Sequence, residues 1–148
     1  MPAAAAYVFT TAGVPASKRR ALGDAHPDVA DSLNSRAMLL LALDRTDAAL
    51  ADARQSVALY RRALGDTHNQ TNLARLNAAR ILARMGESAA AEAEYRAVLD
   101  VRRRTLPPDH EDLAVTLDAL AAVLNAAGRH AEAAASSREA QAIFTRSV

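Results

Sequence analysis

The feature that most constrains this chain is a recurrence. His26, His68 and His110 stand 42 residues apart, and the same interval relates Leu22, Leu64 and Leu106. It also relates Ala37, Ala79 and Ala121, then Ala49, Ala91 and Ala133, then Arg54, Arg96 and Arg138, with no insertion between them. A fixed period of this size is the mark of a solenoid, in which each unit buries an apolar face that it could not cover alone. A chain of 148 residues holds about three such units.

Each unit reads as two helices. Leu113, Leu117, Leu120, Ala121 and Leu124 form one apolar stripe at helical spacing, and Ala91, Tyr95, Val98 and Leu99 form another. Asp44, Gly86 and Gly128 share one register where the first helix should stop, and glycine suits that left-handed stop. Pro27 fits a first helical turn, where a missing N–H costs nothing. The pattern predicts helices over 27–43, 46–64, 69–85, 88–105, 111–127 and 130–146. Composition agrees: about half the residues are hydrophobic and only 3% aromatic, so alanine carries much of the packing and favours close helix contact.

Several function classes lose support at once. Cysteine is absent, which removes disulfides, thiolate metal sites and cysteine nucleophiles. A net charge of +1 gives no footprint for nucleic acid or an anionic membrane, and the scarcity of aromatics leaves little stacking surface for bases. No apolar run reaches the length of a membrane span, and no basic residue precedes Lys18 as a secretory signal would require. A cytoplasmic location is therefore expected.

The three histidines raise the question of a metal or catalytic centre. Equivalent residues of stacked repeats lie on the order of 10 Å apart, whereas ligands of one ion lie about 2 Å from it. The histidines are thus expected to shape the turn entering each first helix. Asp109, His110, Glu111 and Asp112 are contiguous, so they do not converge as helical i, i+4 ligands do, and acidic residues suit a first helical turn. His130 and Glu132 stand at the start of the last helix in the same way. Ser136 and Ser137 have neither a glycine elbow nor an aligned histidine–carboxylate relay. No phosphate-binding glycine loop occurs. Neither an enzyme, a metal nor a cofactor is expected. Lys18-Arg19-Arg20, Arg61-Arg62 and Arg102-Arg103-Arg104 also recur with the period; they form either a basic edge or, as preferred here, cations that compensate helix C-termini.

The stretch "LGDAHPDVADSLNSRA", a turn, and a second helix ending "YRRALGD" resemble the 42-residue, kinesin light chain type of tetratricopeptide repeat over residues 20–145. Asp44 departs from the turn glycine, Arg75 from a core leucine, and Asn69 and Glu111 from the proline seen at Pro27. The resemblance implies an all-α, right-handed α-solenoid of about three helix-turn-helix repeats, over 20–61, 62–103 and 104–148; it misses residues 1–19, which Gly13 and Pro15 mark as an N-terminal arm or partial cap. It implies a groove, lined by the first helix of each unit, that binds a peptide or protein segment. The positions carried over are Asn34, Met38, Leu41, Leu76, Arg80, Asp118, Ala122 and Asn125, together with Asp31, Leu73, Ala83 and Val115. Asn34 and Asn125 suit a peptide backbone and Arg80 a carboxylate, or Arg80 pairs with Asp118. The rival expectation is a structural, oligomerising or regulatory portion of a larger bacterial protein such as a kinase or transcription regulator. A homodimer through exposed repeat ends is expected, from Ile143 and Phe144 at one end and Tyr7, Val8 and Phe9 at the other.

Overall fold

The computed structural model describes residues 26–147. Among them are six helices: α1 (Pro27–Ala42), α2 (Thr46–Leu64), α3 (Asn69–Arg84), α4 (Ser88–Thr105), α5 (Glu111–Ala126) and α6 (His130–Ser147). Each lies within one residue of the helix expected from periodicity, because the apolar stripe and the stop signals at both ends agree. The expectations for residues 1–19 and for Leu22 lie outside the described residues.

The stops repeat in atomic detail. Asp44, Gly86 and Gly128 all adopt positive φ, at 61°, 81° and 79°. In each, the next residue's N–H reaches back to a carbonyl near the helix end: Arg45 to Leu40 at 2.9 Å, Glu87 to Leu82 at 2.9 Å and Arg129 to Leu124 at 2.8 Å. These bonds satisfy carbonyls that the helix leaves open. Asp44 makes the same turn as the glycines and bears the steric cost of its Cβ.

The chain forms two compact units, one ending at Ile81 and the other beginning at Leu82. In the first, α1 packs on α2, with Val29, Ala30, Leu33, Leu59, Tyr60 and Ala74 as its buried cluster. Ser56 fills the interface as a small residue and donates its hydroxyl to the Ala30 carbonyl at 2.8 Å. In the second, α5 packs against both α4 and α6. The alanines in register, Ala37, Ala79 and Ala121 and Ala49, Ala91 and Ala133, are all buried, as close helix approach requires.

One cation enters this packing. Arg102, in register with Tyr60, is buried and donates from Nη1 to the Asp112 carbonyl at 3.2 Å and to Thr116 Oγ1 at 2.8 Å. Burial lowers its pKa, and the Asp112 charge opposes that shift.

Candidate functional site

The histidines are helix caps. His26 Nδ1 accepts the Asp28 N–H, His68 Nδ1 the Gln70 N–H and His110 Nδ1 the Asp112 N–H, each at 3.1 Å. Nδ1 is bonded to Cγ, as the oxygen of an asparagine cap is, so the ring satisfies one of the donors left open by the first turn. Two of the second helices, α2 and α4, have no such device: neither Arg45 nor Glu87 makes a side-chain cap bond. Each histidine is thereby committed to its own helix. Among the described residues no three His, Asp or Glu side chains gather as metal ligands would.

The terminal arginines are engaged as well. Arg61 Nε lies 2.6 Å from Asp66, Arg103 Nη2 lies 2.8 Å from Glu139 and Arg104 Nη2 lies 3.2 Å from Asp100. Nearby carboxylates therefore partly neutralise these helix ends. The runs stand at the C-terminal turns of α2 and α4, where cations oppose the negative end of the helix dipole.

The carried-over groove positions fall into two sets. In the first unit, α1 and α3 stand side by side with two rungs between them. Asn77 Nδ2 donates to Asn34 Oδ1 at 3.1 Å, and Arg80 Nη1 lies 4.0 Å from Met38 Sδ. Asn34 and Met38 are one turn apart on α1, as are Asn77 and Arg80 on α3. One turn earlier on α3, Leu73 is 39% exposed. Leu41 and Leu76 are buried and belong to the packing beneath this surface. Asp31 accepts a bond from the Tyr60 hydroxyl, and burial, followed by that bond, pushes the Tyr60 pKa well above its usual value.

In the second unit, Asp118, Ala122 and Asn125 are exposed on α5, with Val115 49% exposed on the same helix. Asn125 Oδ1 lies 3.0 Å from His130 Nδ1, so its side chain ties the turn between α5 and α6. Asn77 was not among the expected residues. Its partners in register are Ser35 and Ala119, so no repeated polar signal marked it.

One expectation about the ends is corrected. Ile143 is buried, because it faces inward with Ala133 and Ala140, and only Phe144 of the pair is exposed. Ser137 and Gln141 stand where Tyr95 and Leu99 stand one repeat earlier, which leaves that face of α6 largely polar.

A family model described as tetratricopeptide repeat matches residues 28–104 and again residues 70–146, the second match displaced by one 42-residue period. A search of curated protein sequences finds no match. Among solved structures, the crystal structure of BtubC (BKLC) from P. vanneervenii is similar, with a TM-score of 0.80 and 21% sequence identity. The likeness covers 88% of this chain and 52% of that one, so the chain spans about half the length of the structure it matches. Among the described residues no helix is long and apolar enough to cross a membrane. The helix pairs, the shared stops at 44, 86 and 128 and the two matches in register agree: the chain belongs to the tetratricopeptide repeat family, an all-α repeat solenoid with a 42-residue period.

Proposed function

We propose that this chain is a non-catalytic cytoplasmic module that holds an extended segment of a partner protein against its first helices. Tetratricopeptide repeats generally mediate protein–protein interaction, and the two rungs between α1 and α3 carry the finer reading. Within the Asn34–Asn77 pair, the Asn34 amide keeps two N–H donors and the Asn77 oxygen keeps acceptor capacity. A main chain in extended form offers the complementary carbonyls and N–H groups. One turn along, Arg80 is exposed and, among the described residues of its unit, has the Met38 thioether beside it and no carboxylate in ion-pair range. Leu73 adds apolar surface on the other side. The partner segment is therefore extended and carries an acidic side chain near Arg80, with an aliphatic residue toward Leu73. Asp118, Ala122 and Asn125 would serve the same role on α5.

An array of extended peptides, with and without acidic residues, tests this reading. Binding by the acidic members should fall by about tenfold or more with Arg80→Ala, in line with loss of a charge-assisted bond. Asn34→Ala with Asn77→Ala should weaken acidic and neutral members alike. All variants should melt close to the parent, because these side chains are at most half-buried. Undiminished binding by the triple variant would remove the assignment.

A second reading, an assembly or regulatory piece joined to other helices, is favoured by α1. Leu39 and Leu43 are 63% and 62% exposed, whereas Ile81, in register with Leu39, is fully buried. That face of α1 would take a neighbouring helix or a second copy.

A further inference from the structure

The three histidine caps are alike in geometry and unlike in surroundings. A cap of this kind exists only while Nδ1 carries a lone pair, which requires a neutral ring with its proton on Nε2. A second proton turns the acceptor into a donor pointed at another donor, and places a cation at the positive end of the helix dipole. Two of the three sites hold a counter-charge for that event. The Asp28 carboxylate lies 4.0 Å from His26 Nδ1, and the Asp112 carboxylate lies 3.9 Å from His110 Nδ1. The middle site has Gln70 at the equivalent position, and the first turn of α3 contains no acidic residue.

The charged groups of α1, α2 and the turn do not replace the missing carboxylate. From α2 come Arg61 and Arg62, and from the turn comes Asp66, whose carboxylate is held by Arg61 at 2.6 Å. From α1 come Asp28, Asp31 and Arg36; Asp28 lies beside His26, Asp31 accepts from Tyr60, and Arg36 pairs with Asp52. Among the described residues none of these lies within ion-pairing distance of the His68 ring. The turn is otherwise tied by buried side chains. Thr71 Oγ1 donates to the Gly65 carbonyl at 2.7 Å, and Asn72 Nδ2 donates to the carbonyls of Asp66 and His68 at 3.0 and 3.1 Å. Unlike these neutral ties, the His68 cap requires an unprotonated Nδ1.

We infer that the α2–α3 turn is an acid-responsive joint: protonation of His68 releases the cap of α3, while His26 and His110 keep their helices anchored through Asp28 and Asp112. The joint lies at the N-terminal end of the helix that carries Leu73, Asn77 and Arg80, so its release loosens the root of that surface. Because the uncapped state takes up the proton, stability falls on acidification.

Thermal and urea unfolding of the full chain between pH 8 and pH 5 tests this, alongside His68→Asn, Gln70→Asp, His26→Asn and His110→Asn. Asparagine caps without titrating, so His68→Asn should lose less stability on acidification than the parent, by about fivefold in the folding constant. Gln70→Asp supplies the absent carboxylate and should reduce the loss similarly. His26→Asn and His110→Asn should leave the parent's profile nearly unchanged. The Gln70 amide resonance should move with pH more than those of Asp28 and Asp112. A parent profile retained by both His68→Asn and Gln70→Asp, or equal effects at all three histidines, would overturn the inference. Either result leaves the peptide array at neutral pH, where the cap is intact, as a separate test of binding at Arg80.

Discussion

Arg129 Nη1 lies 2.5 Å from Glu92 Oε1, joining the turn between α5 and α6 to α4. Glu92 also receives Arg96 at 2.7 Å, and Arg129 reaches on to Glu132 at 2.5 Å, so four charges alternate across three elements. A chained arrangement holds more than isolated surface pairs do, since the two inner members, Glu92 and Arg129, are each fixed by two partners.

The hydrogen bond from Arg96, followed by that from Arg129, holds the Glu92 carboxyl below the usual carboxylate range, with burial opposing. A depressed carboxylate contributes stability that is present above its unfolded value and is lost as pH falls through its folded value. Glu92→Gln should therefore lower the Tm by a few degrees at pH 7. The gap to the parent should close on acidification below about pH 4. Calorimetry at a series of pH values checks both the sign and the window.

Asp52 carries the opposite sign. It is buried on α2, and desolvation raises its pKa while Arg36 pulls it back. Arg36 Nε approaches Asp52 Oδ2 at 3.2 Å, yet off the direction a hydrogen bond needs, so that oxygen is unsatisfied among the described residues. Stability from a raised carboxyl is present in acid and lost as the pH rises through its folded value. Asp52→Asn should gain on the parent between pH 4 and pH 7, by the order of 1 kcal/mol at the upper end. Urea unfolding at the two ends of that range measures the difference.

The first-repeat stop offers a direct test of backbone strain. Asp44 occupies a left-handed conformation that glycine adopts freely in the other two repeats. Asp44→Gly should stabilise the chain by about 0.5–1 kcal/mol. Gly86→Ala should cost about 1 kcal/mol or more. Nothing lies within 4 Å of a Cβ built at Gly86, so its cost would be conformational and not a clash.

The exposed Leu39 and Leu43 test the assembly reading. Light scattering over a concentration series should show association that Leu39→Ser with Leu43→Ser abolishes. Phe144→Ser should have a smaller effect, because Ser137 and Gln141 already make its surroundings polar. A concentration-independent monomer would remove this contact as a route to assembly.

Sequence alone determined the period, the six helices and the register of buried alanines, because each is a local rule repeated along the chain. Apolar spacing records which face of a helix is inward, and a glycine or aspartate at 44, 86 and 128 marks a stop without reference to distant residues. The histidines were legible as turn residues for the same reason. Their role as Nδ1 caps, and the difference made by Gln70 against Asp28 and Asp112, needed coordinates to fix the ring's direction. Tertiary structure alone decided which side chains meet across helices. Asn34 and Asn77 are 43 residues apart, and Arg129 and Glu92 are 37 apart. Such pairs depend on rotamers and on how two helix surfaces interlock, and neither leaves a periodic trace. The same holds for Leu41 and Leu76, whose apolar character fits groove and core alike; burial by neighbouring helices assigned them to the core.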